Sequence, residues 1–180
     1  MKALAILVLA SLLWGSQASA QIGGGRIAAR PIPAASKPVS YGRWIVIREG
    51  EWVEASTDNG SGSEFGLLCS AECMIYLDFR IECEDGHDYP AMINSGAGAV
   101  SISMRCHHYG ERPIFITEAS GDYVDMLEQG KEVGFAFPLQ NGQFRVARFS
   151  THGGYEAILA ALRIAMKSGT LKEAPKDVEI

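Results

Sequence analysis

The chain has 180 residues, 47% of them hydrophobic and 21% charged, with 16 lysines and arginines against 21 aspartates and glutamates and a formal charge of −5. An acidic balance with no basic run excludes the usual electrostatic footprint of a nucleic-acid binder or of a protein held on anionic lipid. The length is enough for one domain with a substantial core.

Residues 1–20 join a single positive charge, Lys2, to an apolar run over residues 3–14 and end in Ala18-Ser19-Ala20, the pattern of a secretory signal peptide. The run falls short of the ~20 residues that cross a bilayer, so cleavage after Ala20 is expected rather than anchoring. Losing Lys2 with it would take the formal charge to −6. The most apolar later stretch, residues 157–166, is short and contains Arg163, so no transmembrane span is expected after the signal. Residues 21–42 are rich in Gly, Ala and Pro and carry Arg26, Arg30 and Lys37 but no acid. They offer too little apolar surface to offset the entropy of ordering and are expected to be a disordered leader. A single domain over residues 43–169 and a charged, flexible tail over 170–180 complete the expected organisation.

From Arg43 the pattern becomes that of strands. Residues 44–47 and 52–53 flank the turn Glu49-Gly50 as a first hairpin, whose tryptophans Trp44 and Trp52 are expected to meet. Residues 57–64 form a Gly/Ser loop containing Asn59-Gly60-Ser61, a formal glycosylation acceptor whose simpler reading is chance. Strands are expected over 65–68 and 74–81, then over 89–94 and 100–105 around the turn 95–98, then over 113–117. Residues 122–129 have helical spacing, with Tyr123, Met126 and Leu127 on one side and Gly130 as the stop. Residues 133–139 and 144–149 flank Asn141-Gly142, which predicts a type I′ hairpin with one face on the core. The longest helix is expected over 155–167, with Ile158, Leu159, Leu162, Ala165 and Met166 in one apolar stripe and Gly169 beyond its end. The fold class that follows is α+β, mainly β, with about eight antiparallel strands packed as in a β-sandwich and two helices.

All four cysteines, Cys69, Cys73, Cys83 and Cys106, lie between residues 65 and 106. In an exported chain such a set reads as disulfides, with three possible connectivities. Cys69 with Cys73, across a tight three-residue loop, and Cys83 with Cys106, at the borders of the next strands, is the favoured pairing; spacing alone does not fix it.

Candidate chemistry is sparse. His107 and His108 beside Cys106, with His87 upstream, are the one set that suggests a metal, although consecutive strand residues face opposite ways and thiolate ligands compete with disulfides outside the cytosol. There is no Gly-x-Ser-x-Gly elbow, no Cys-x-x-Cys, and no lysine after the loop 94–98 to hold a phosphate. Glu82, Glu84, Asp85 and Asp88 are close in sequence but do not match a helix-loop-helix calcium site, so a solvated turn is expected. No catalysis and no cofactor are expected; the alternatives are a periplasmic metal-binding protein using the region of His107 and His108, and a small envelope hydrolase with a site that no motif marks.

In its C-terminal half the chain resembles the invasion-associated locus B family of secreted or periplasmic bacterial proteins. The residues that carry this are Cys106 at a strand end, the helical DYVDMLEQGK over 122–131, the strand GFAFPL, and FRVARFSTHGGYEAILAAL leading into the last helix. The family's second cysteine just downstream of Cys106 has no counterpart here. The resemblance implies a sandwich-like exported domain, periplasmic or secreted, that binds a protein or another component of the envelope or host surface. An exposed aromatic patch containing Trp44, Trp52 or Tyr109 would favour this over an enzyme with a deep polar cleft.

Overall fold

The computed structural model describes residues 36–178 except 97, 130 and 140. The expected signal peptide, and the expected leader as far as residue 35, lie outside the described residues. Among the described residues are ten strands, β1 (Val39–Tyr41), β2 (Trp44–Glu49), β3 (Trp52–Asp58), β4 (Glu64–Cys69), β5 (Cys73–Asp78), β6 (Asp88–Ser95), β7 (Gly98–Tyr109), β8 (Arg112–Glu118), β9 (Glu132–Pro138) and β10 (Phe144–Ser150). Two helices, α1 (Gly121–Gln129) and α2 (Gly154–Lys167), complete the set. None of the helices is long and apolar enough to cross a membrane.

The strands form one antiparallel sheet in the order β1-β2-β3-β4-β5-β8-β7-β6-β9-β10. After β5 the chain passes over two positions to β6 and returns through β7 and β8, a Greek-key path. The sheet folds over on itself. Phe65 on β4 meets Phe135 on β9 at 4.9 Å and Phe149 on β10 at 5.5 Å, although four strands separate β4 from β9 in the sheet. Trp44 Nε1 donates to the Ser150 carbonyl at 2.8 Å, and the Arg43 N–H donates to the His152 carbonyl at 2.9 Å, which fastens β2 to the end of β10. The result is the sandwich-like, mainly β packing expected, with one sheet supplying both layers.

Alternation along each strand decides which residues enter the core. Val53, Ala55, Phe65, Leu67, Ile75, Leu77, Phe115, Phe135 and Phe149 are all buried. Helix α2 covers β2, β3 and β4 with Ala157, Ile158, Ala161, Leu162 and Ala165, while Met166, expected in the same stripe, is 38% exposed. The pair Gly153-Gly154 allows this close approach. Gly153 has φ +84 and no room for a Cβ, which would lie 2.0 Å from the Tyr41 carbonyl; one on Gly154 would lie 2.9 Å from the Trp44 ring.

Several local expectations differ from the structure, each for a physical reason. Val39–Tyr41, inside the stretch expected to be a disordered leader, pairs with β2 in register from Val39↔Val46 to Tyr41↔Trp44, so the ladder supplies the partners its composition does not. The expected strand over 74–81 stops at Asp78, whose carboxylate accepts the Arg80 N–H at 2.8 Å while Arg80 takes φ +54. Asn141-Gly142 lies in a loop between Pro138 and Phe144, where Asn141 accepts the Gln143 N–H at 3.0 Å. The Leu139 N–H donates to the Gln143 carbonyl at 2.7 Å and the Gly142 N–H to the Leu139 carbonyl at 3.0 Å, so the loop is longer than the two-residue type I′ turn expected, with Gly142 at φ +78. The expected flexible tail is docked. Leu171 is buried, and the Gly121 N–H at the start of α1 donates to the Lys176 carbonyl at 3.0 Å.

Candidate functional site

The outer face of the sheet is not uniformly wet. Ser56 on β3, Gly66 on β4, Tyr76 on β5 and Ile116 on β8 share one rung. All point away from the core, yet Ser56 and Tyr76 are buried. Tyr76 lies over Gly66, where a Cβ would come within 2.9 Å of its ring and 2.4 Å of the Ala55 carbonyl. Its hydroxyl donates to Glu54 and lies 3.0 Å from Glu64 Oε1, so one phenolic proton faces two carboxylates. Burial first, then these two negative charges, push the Tyr76 phenol well above its ordinary value of 10.0. Glu64 leads on to Arg112, whose guanidinium is 3.5 Å from Glu64 Oε2 and bonds the buried Asp78 directly. The bond to Asp78 is the chief reason the Arg112 guanidinium holds its proton more tightly than usual.

Two exposed aromatics share this face. Trp52 opposes Glu49 across the β2–β3 turn and alternates with buried Val53; Tyr109 opposes Arg112 across the β7–β8 turn. In the sheet, β4, β5 and β8 lie between their strands. Even so, the rings meet edge to face with centroids 6.2 Å apart and planes at 76°. The face therefore curls until the two hairpin ends converge. Trp44, expected to meet Trp52, is fully buried against Phe65 at 5.4 Å. Strand parity carries the signal: in a hairpin with 49 opposite 52, residues 44 and 52 fall on opposite faces.

The cysteines are joined Cys69–Cys73 and Cys83–Cys106. The second bond fastens the β5–β6 connection to β7, and the Gly86 and Cys106 N–H groups add bonds to the Cys106 and His87 carbonyls. The three histidines lie near this turn without converging. His87 Nδ1 is 3.8 Å from Glu84, His107 Nδ1 is 3.7 Å from Asp85, and His108 Nε2 is 3.1 Å from the Cys83 carbonyl. What does come together is Cys83, Cys106 and His108, with ligand atoms within 4.8 Å of one another, but both sulfurs are bonded to each other. The carboxylates of this turn also diverge: Asp85 accepts the His108 N–H at 2.9 Å, and Asp88 forms a two-pronged pair with Arg105 at 2.9 and 3.1 Å. That pairing lowers the Asp88 carboxyl below its usual range.

Asn59 is used in folding its own loop, its side-chain oxygen accepting from the Ser61 N–H, the Ser61 hydroxyl and the Ser63 N–H at 3.0, 2.9 and 3.1 Å. A recess beside α1, α2 and the C-terminal segment is lined by Val124, Asp125, Tyr155, Asp177 and Val178, a set with no nucleophile beside a base.

The structure is thus that of a mainly antiparallel α+β domain with a curled outer face, a buried polar chain of side chains and an exposed aromatic pair. No protein-family model matches the chain, and none of the curated proteins matches it. Among solved structures it is similar to invasion associated protein B from Bartonella henselae, with 15% identity and a TM-score of 0.55 over 74% of this chain and 99% of that one. The likeness is one of fold.

Proposed function

We propose that this chain is an exported bacterial binding protein of the cell envelope or a host-contact surface, without catalytic activity, and that it meets its partner at the face around Trp52 and Tyr109. The observation that carries the reading is the exposed edge-to-face pair of these two rings. Large aromatics cost free energy when left in water and dominate interface energetics when covered, so such a pair at two convergent hairpin ends suits a contact surface. Two disulfides are compatible with an oxidising compartment, and the fold neighbour is an invasion associated protein. A metal-binding reading has one point in its favour, the grouping of Cys83, Cys106 and His108, which needs the disulfide reduced before its sulfurs can act as ligands.

Photo-cross-linking from position 111, in the exposed turn after Tyr109, tests the binding reading in the exporting cell and on the surfaces it contacts. A discrete adduct that disappears when Trp52 is replaced by Ser is the expected result. Absence of any adduct from this turn, with adducts from a position on α2 instead, would place the contact elsewhere.

A further inference from the structure

The chemistry around the aromatic pair specifies what it takes. Glu49 stands directly across the hairpin from Trp52, Glu54 is two residues along the same face, Glu51 occupies the turn, and Glu111 follows Tyr109 by two residues. Glu49, Glu51 and Glu111 are exposed and have no ion pair among the described residues. The basic residues of the same hairpins are directed elsewhere. Arg48 opposes buried Val53 on the other side of the sheet, and Arg112 is engaged by Asp78 and Glu64. His107 and His108 turn towards Asp85 and the Cys83 carbonyl. Two ring faces at 76°, with carboxylates outside any ion pair at the neighbouring register and sequence positions, attract a cation.

Resting on the binding reading above, we propose that the corner between Trp52 and Tyr109 seats an arginine side chain of a protein partner. With centroids 6.2 Å apart and planes at 76°, a group placed against both exposed faces lies within cation–π range of both rings. Arginine fits better than lysine because its guanidinium is planar, weakly hydrated and able to stack on a ring while its edge bonds a carboxylate in fork geometry. A protein side chain fits better than a free amine because an exposed cation–π contact is weak alone and gains from neighbouring contacts of the chain that carries it.

The test follows the Trp52 indole N–H by NMR while a capped Gly-Arg-Gly peptide is titrated against the oxidised protein, with the neutral Gly-citrulline-Gly peptide as control and the buried Trp44 indole as internal reference. The arginine peptide should shift Trp52 and leave Trp44 still, and added salt should weaken the effect. Tyr109→Leu should weaken binding roughly three- to fivefold. The combined Glu49→Gln, Glu51→Gln and Glu111→Gln variant should weaken it similarly while keeping the fold. Equal binding of the citrulline peptide, or no movement of Trp52 with either peptide, overturns the arginine assignment. If that happens while the adduct from position 111 persists, the face binds a partner of other chemistry; if the adduct is lost as well, the binding reading falls with it.

Discussion

Tyr76 shows how a single residue organises the outer face. A glycine in the middle of a strand weakens it and leaves a gap; here the ring of the neighbouring strand fills that gap and delivers a hydroxyl to Glu54 and Glu64. The arrangement has a pH signature. Below about pH 10 the phenol is protonated in both folded and unfolded chains. Above that point the unfolded chain releases its proton while folded Tyr76 holds on, so stability falls as pH rises from 10.0 towards the higher folded value. Tyr76→Phe should cost about 1–2 kcal/mol at neutral pH through the lost hydroxyl bonds. It should also make the denaturation midpoint decline less steeply between about pH 9 and pH 11. The decline should not vanish, because burial raises the Tyr123 phenol too. Identical pH profiles for the two proteins would refute the assigned role. None of this was visible in the order of residues: Gly66, Tyr76, Glu54 and Glu64 lie on three strands and meet only through their register.

Elements with local signals were the legible ones. Hairpins β2–β3 and β9–β10 and helices α1 and α2 announce themselves through alternation, turn glycines and three-and-four spacing, and the boundaries shift by only a few residues. β1 and the segment around Leu171 were not legible, because short polar stretches acquire order from contacts made elsewhere: β1 from the β2 ladder, the tail from its bond to Gly121. The disulfides lie between these cases. Cys69 and Cys73 close a hairpin and are paired in register, so their bond joins strands already adjacent; Cys83–Cys106 closes a separation of 23 residues and pins the long β5–β6 connection. In the chain-entropy picture the longer loop stabilises by about 3 kcal/mol and the shorter by about 2 kcal/mol. Replacing Cys83 and Cys106 together with Ser should therefore lower unfolding free energy more than replacing Cys69 and Cys73. The reverse order in urea denaturation would mean that the β5–β6 connection is held mainly by the backbone bonds of residues 86–87 and 106.

At the scale of the whole molecule, the fold class was readable and the face was not. Antiparallel β structure with two helices follows from composition and periodicity, and the likeness in fold to invasion associated protein B agrees with the resemblance read from the sequence. Curling is a property of ten strands acting together, and it brings Trp52 on β3 to Tyr109 on β7 across three intervening strands. No periodicity in a single segment encodes that meeting. Phe65, Phe135 and Phe149 pack on one face of the sheet while Trp52 and Tyr109 meet on the other, so the surface proposed for function is linked to the core through the sheet that carries both.

The most direct measurement of that link is the binding of purified, oxidised protein to isolated envelope fractions and to host-cell surfaces, compared with a Trp52→Ser/Tyr109→Ser double variant matched to it in circular dichroism and melting temperature. Loss of both rings from a working contact should weaken association by roughly tenfold or more on whichever surface the protein binds. Undiminished binding by the folded double variant would contradict the account and show that the exposed aromatic pair is not where this protein meets its partner.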